Sequence, residues 1–135
     1  MKRKLIITIS LAFNCICIFA QTNILMSNSG SYSVCSGNFY DGGGPMNDYG
    51  TSLNVVVTLH PLDSTSKLSV KFTSFHIYEN YDFLYVYNGA DTNALRIATL
   101  TGQSGYGTIT SSAPHGSLTF KFPTYYFCLA SLLTR

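Results

Sequence analysis

Few residues of this sequence are of types that could do chemistry. Glu79 and Asp82 form the one pair of acids within four residues of each other beyond the first twenty positions. Carboxylates that close, on a loop entering a strand, suit a hard cation such as calcium, which takes about six to eight oxygen ligands, so two acids need further oxygens beside them. The alternative is a solvated loop in which Asp82 accepts hydrogen bonds from nearby backbone amides. The histidines are His60, His76 and His115, and no serine lies in a Gly-x-Ser-x-Gly pattern. A hydrolase needs a nucleophile, a base and a group that orients the base. His60 and His115 border prolines in turns and His76 alternates with strand residues, so none is assigned a catalytic role. Cys35 beside a histidine would make a thiol enzyme, but it lies early in a Gly- and Ser-rich segment and reads as a structural or unpaired cysteine. The glycines of "GQSGYG" (102–107) make no phosphate cradle, because a strand-like "TIT" follows where a helix N-terminus is needed.

The elements that must carry these residues alternate with period two. In "LNVVVTLH" (53–60), Leu53, Val55, Val57 and Leu59 share a face; in "LSVKFTSF" (68–75), Leu68, Val70 and Phe72 oppose Ser69, Lys71 and Thr73. "SLTFKF" sets Leu118, Phe120 and Phe122 against Thr119 and Lys121. Period two means strands. "DFLYVY" reads as a strand inside a sheet, with Leu84 and Val86 in the core and Phe83, Tyr85 and Tyr87 half-buried on the other face. Asn88-Gly89 then predicts a tight turn with positive backbone angles, "LRIATL" (95–100) the return strand and "GTIT" (107–110) a further short one. Turn signals rich in Gly, Pro, Asn and Ser separate these segments, and no window carries a helical stripe. The expected fold is all-β, an antiparallel two-sheet sandwich.

Residues 1–20 read as a secretory signal peptide: Lys2, Arg3 and Lys4 precede an apolar run ending at the small residue Ala20. Secretion to the extracellular space or cell surface follows, with no membrane span after cleavage. Removing the three leader cations from eight basic residues leaves five against six acids, an almost neutral domain. Five scattered cations build no concentrated basic face, so nucleic acid is excluded as a partner. Cys35 and Cys128 remain, and an oxidising compartment would let them pair; the sequence leaves that bridge open.

Taken in order, "CSGNFYDGGGPMNDY" (35–49), "LSVKFTSFHIYENYDFLYVYNG" (68–89) and "ITSSAPHGSLTFKF" (109–122) resemble a CUB domain, of the variant found in secreted multidomain proteins of Bacteroidetes-type bacteria. The resemblance spans residues 32–122, after a lead-in at 21–31. It implies a jelly-roll sandwich that is not an enzyme and binds an extracellular protein or glycan through its end loops. Many members hold calcium, and the resemblance places that site at Tyr49, Glu79 and Asp82, with Tyr78 and Tyr81 presented on the same interaction loop. Glu79 stands one place later than the pattern, and the usual late Asp is absent, which implies weak calcium binding. Nothing in "PTYYFCLASLLTR" (123–135) matches the family's closing strand. The expectation is a sandwich lacking its last strand, with pairing interrupted at Pro123. In relatives the position of His60 often carries the cysteine that pairs with the counterpart of Cys35, so that bridge is also implied to be lost. The alternative function is an accessory fragment of an exported hydrolase or peptidase whose catalytic domain lies elsewhere.

Overall fold

A computed structural model describes residues 22–103 and 106–125. Among them the chain is all β, with nine strands and no helix: β1 Thr22–Met26, β2 Gly30–Val34, β3 Gly37–Asp41, β4 Asn54–Pro61, β5 Ser69–Lys71, β6 Leu84–Tyr87, β7 Arg96–Leu100, β8 Thr108–Thr110 and β9 Leu118–Pro123. They form one five-stranded sheet in the order β2-β4-β9-β6-β7 and two two-stranded sheets, β1-β3 and β5-β8. The alternating segments behave as expected in β4, β6 and β9, where β-branched and aromatic residues face a pleated, half-buried surface. Registers Val57↔Phe120 and Phe120↔Val86 put the large residues of three central strands on one face.

The sheets are not purely antiparallel, as the alternation had suggested. β1 pairs β3 and β2 pairs β4 in parallel. Alternation says which face a side chain takes, not which way the neighbouring strand runs, and a parallel pair needs a crossover connection, which the chain between β2 and β4 supplies. The stretch read as a lead-in (21–31) carries β1 and the start of β2. The strand expected over 68–75 is only three residues long; Phe72 still donates its N–H to the Gly107 carbonyl at 2.9 Å, and the Phe72 and Phe75 rings pack edge-on with Tyr106 at centroid distances of 6.3 and 4.9 Å. Pro123 does not interrupt pairing. Thr124 beyond it still donates its N–H to the Leu53 carbonyl at 2.9 Å, so the Pro123 nitrogen points away from β4, past the end of β6, where no donor is required.

The core lies between the large sheet and the two small ones. Val57, Val86, Leu118 and Phe120 are wholly buried, joined by Ile24 and Met26 from β1, with Phe39, Val70 and Ile109 of the small sheets packed against them. Phe39 of β3 meets Phe120 of β9 edge-on, with centroids 5.0 Å apart. Thr119, on the opposite face from Phe120, is fully buried as well. The turn after β6 folds over it, so its hydroxyl donates to the Gly89 carbonyl at 2.9 Å and lies 2.9 Å from that of Thr58. In that turn neither Asn88 nor Gly89 has a positive φ. Asn88 N–H instead closes a wider loop onto the Leu95 carbonyl, and its side-chain oxygen accepts from Ser112 and Ala113 N–H, which ties the turn to the segment leading into β9. A longer loop relieves the geometric demand that a two-residue turn would impose.

Candidate functional site

The loops leaving β3 and entering β6 meet at one end of the sheets, where Tyr49 and Asp82 join them. The Tyr49 hydroxyl donates to Asp82 Oδ2 at 2.8 Å and accepts from the Tyr78 N–H at 2.9 Å. The other carboxylate oxygen of Asp82 accepts from the Tyr125 N–H at 3.1 Å. Locally the 78–82 segment is wound into a turn: Tyr78 carbonyl accepts from Asp82 N–H at 3.0 Å, and Asn80 takes the left-handed conformation (φ 65°) that Asn tolerates better than most residues. The Tyr49 ring is anchored edge-on to Phe122 with centroids 5.0 Å apart. Asp82 is only 6 % exposed, and each of its oxygens has a partner, as a buried charge requires. The Tyr49 hydroxyl is pushed up to about 12, first by its burial and then by the adjacent Asp82 carboxylate, which accepts its proton and repels a phenolate; the Tyr78 N–H pulls the other way.

Above this pair opens a cleft of about 390 Å³ lined by Asp48, Tyr49, His76, Tyr78, Tyr81 and Tyr125, among others. Three of the tyrosines present large surfaces, Tyr78 at 54 %, Tyr81 at 48 % and Tyr125 at 65 % exposure. The Tyr78 and Tyr81 rings lean together at 5.0 Å and 52°. Of the residues singled out from the sequence, the structure therefore brings together Tyr49, Asp82, Tyr78 and Tyr81. Glu79 is not among the residues lining the cleft. Its Cγ lies over Gly102, 3.1 Å from where a Cβ would stand there, and Gly102 has a φ of +71°. Asp48, His76 and Tyr125 were missed. Asp48 could have been found as the acid directly preceding Tyr49, whereas Tyr125 lies in the segment that matched no pattern.

No protein-family model and no curated protein matches the chain.

The other candidate groups are placed as follows. His60 bridges two serines, with Nε2 at 2.8 Å from Ser31 Oγ and Nδ1 at 2.8 Å from Ser117 Oγ. The distances suit a nucleophile and its base, but the third member is a hydroxyl, which brings no negative charge to stabilise an imidazolium. Cys35 is exposed with a free thiol, and Cys128 lies outside the described residues, as do the stretch read as a signal peptide and most of the tail. Among the described residues no three His, Cys, Asp or Glu side chains gather into a metal-binding group, and no helix is long and apolar enough to cross a membrane. The side-chain oxygens brought to the cleft are those of Asp48, Tyr49, Thr51, Tyr78, Tyr81, Asp82 and Tyr125, and Asp82 is already engaged by Tyr49 and Tyr125. Only two of these residues, Asp48 and Asp82, bring a carboxylate. What this arrangement can do is hold a preformed, aromatic, faintly acidic surface against a ligand.

Proposed function

We propose that this chain is a secreted, non-catalytic interaction module of CUB-like jelly-roll type, which recognises an extracellular protein or glycan through the loops at the Tyr49–Asp82 end. The observation that carries this reading is a tyrosine-rimmed cleft over a floor locked by the Tyr49–Asp82–Tyr78 hydrogen bonds. Tyrosine buries much area with few rotamers to freeze, and its hydroxyl serves either a sugar or a peptide. A floor already ordered before binding lowers the entropy cost of association. Supporting the jelly-roll reading is the interleaving of the strands, since β1, β3, β5 and β8 pair among themselves while β2, β4, β9, β6 and β7 form the large sheet. In this reading calcium only assists, with weak affinity, at the Tyr49–Asp82 end of the cleft.

A glycan array and a panel of soluble extracellular proteins, probed with the wild type in calcium and in chelator, test the reading. Saturable binding should fall at least about ten-fold, ~1.4 kcal/mol, in Tyr81→Ala or Tyr125→Ala. It should persist in Leu95→Ala, an exposed residue in the turn at the far end of β6. Binding that ignores both cleft tyrosines, or no saturable binding at all, overturns the end-loop assignment. Absence of heat and of any melting shift at millimolar calcium removes the metal alone.

A further inference from the structure

The face of the large sheet that turns away from the core carries a second group of aromatic and charged side chains, none of which lines the tyrosine cleft. Phe83, just before β6, and Tyr85 and Tyr87 within it stand at every second position, so they share that face while Leu84 and Val86 enter the core. The Phe83 and Tyr85 rings run nearly parallel, 15° from each other with centroids 6.2 Å apart. β6 lies between β9 and β7, and the register sets Lys121 of β9 beside Tyr85 and Arg96 of β7 beside Tyr87. A shift in register after Val86 passes over Ile97 and brings Arg96 onto this face, where its guanidinium carbon stands 5.1 Å from the centre of the Tyr85 ring. The three rings and Lys121 are half-buried, and Arg96 is exposed. The result is a row of rings with one cation on each side.

Charge says what completes this face. The chain holds six acids, all among the described residues, and each has its place elsewhere. Asp48 and Asp82 line the tyrosine cleft, Asp41, Asp63 and Asp91 accept from backbone N–H groups two residues along, and Glu79 lies over Gly102. Residues 1–21, 104–105 and 126–135 contain neither Asp nor Glu, so those segments bring no side-chain carboxylate to Arg96 or Lys121. The complement of the two cations is an anion from outside the chain. Its framework is set by the rings. β6 spends its backbone groups on β9 and β7, so an extended peptide finds no main-chain partners on this face. A sugar needs none: its C–H face packs on an aromatic ring and its hydroxyls reach the phenols of Tyr85 and Tyr87. A carboxylate or sulfate on that sugar suits a guanidinium, whose planar fork takes two oxygens at once, and stacking on Tyr85 orders the fork before a ligand arrives. Alternate residues of a strand stand ~6.6 Å apart, so the row of three rings is ~13 Å long and fits a chain of sugars better than a single one. A nucleic acid would call for a run of cations, and this face has two.

We propose that the outer face of the large sheet, along Phe83, Tyr85 and Tyr87 between Lys121 and Arg96, is a binding site for an acidic polysaccharide, one whose sugars carry carboxylate or sulfate groups. The polysaccharide lies along β6, its ring faces on the aromatic row and its acidic groups on the two cations. The site is separate from the tyrosine cleft, whose lining includes Asp48 and Asp82 and disfavours such a ligand.

The full chain is titrated by calorimetry, in chelator, with two acidic probes and the neutral form of each: an oligogalacturonate with its methyl ester, and a dextran sulfate with plain dextran. At least one acidic probe should bind saturably, and more weakly as salt is raised. Its neutral form, which keeps the sugar rings and loses the charge, should bind at least about ten-fold more weakly. Arg96→Gln should weaken binding of the acidic probe by about the same factor, and Arg96→Lys should recover only part of the loss, because an ammonium keeps the charge without the fork. Should a variant not fold, the comparison of acidic and neutral probes on the wild type decides alone. Saturable binding of neither acidic probe overturns the proposal, as does equal binding of the neutral form, or binding that ignores both Arg96→Gln and Lys121→Gln and is lost in Tyr81→Ala instead. So does a face already closed before any probe is added, by residues 126–135 or by a second copy of the chain, which would shield the Tyr85 and Arg96 resonances from a soluble paramagnetic agent.

Discussion

Replacing Tyr49 with Phe removes one oxygen from the floor of the cleft and leaves the ring, with its edge contact to Phe122, in place. Two hydrogen bonds go with it: the 2.8 Å bond donated to Asp82 and the 2.9 Å bond accepted from Tyr78 N–H. The first is the costly loss. Asp82 is 6 % exposed, so water does not readily take the place of the phenol, and a hydrogen bond to a charged group contributes about 1.5–3 kcal/mol. Tyr78 is exposed, and its N–H can be hydrated at little further cost. The expected loss is therefore about 2–3 kcal/mol, a large part of the ~5–15 kcal/mol that holds a domain folded. At roughly 4–8 °C per kcal/mol for a domain of this size, the thermal midpoint at pH 7 should fall by about 10–20 °C. The difference between wild type and variant should also depend on alkaline pH. Because folding raises the Tyr49 hydroxyl from 10.0 to about 12, its contribution is fully present below pH 10 and is lost as pH climbs from there toward 12. The gap in urea midpoint should narrow over that window. A midpoint shift under ~2 °C, or a gap that holds constant to pH 12, would refute the claim that this phenol locks the floor.

Two glycines with similar backbone angles should respond very differently to alanine. At Gly116 (φ +69°) a Cβ would stand 2.1 Å from the Ser66 carbonyl oxygen, so Gly116→Ala should cost at least ~3 kcal/mol, combining left-handed strain with a backbone shift. Gly107 (φ +64°) has open space, and Gly107→Ala should cost only about 1 kcal/mol in the same urea titration; equal losses would show that space is not what separates them. Phe120→Ala, which empties the centre of the core where Phe120 meets Phe39, should lower stability by about 3–5 kcal/mol by denaturant unfolding. Asp63 accepts from the Thr65 N–H and hydroxyl, which holds its carboxyl below the ordinary 3.8. The local stabilisation it gives is present above that value and fades as pH falls through the lowered one, so a carboxyl NMR titration of the 63–66 turn should show a midpoint under 3.8.

Much of the strand content was legible because strand faces are written in adjacent residues. Val55, Val57 and Leu59 in β4, Leu84 and Val86 in β6, and Leu118, Phe120 and Phe122 in β9 all point where their alternation puts them. β1 was not legible, since Thr22–Met26 is only five residues long and has no long alternating run to announce it. Half of the candidate site was legible for a different reason. Tyr78, Tyr81 and Asp82 lie on one short loop, and Tyr49 came from the family resemblance. Glu79, one residue from Tyr78, turns away to cover Gly102, because a tightly wound turn sends neighbouring side chains in different directions.

Period and composition alone determined that this chain builds strands, which residues they bury and where aromatic side chains reach the surface, because each of these depends on a few adjacent positions. Tertiary structure decided the rest: that β2 runs parallel to β4, and that Tyr125 and Asp48 join Asp82 at one cleft. Those outcomes depend on pairing between segments tens of residues apart, and backbone hydrogen bonding, being the same at every residue, carries no local mark of its partner.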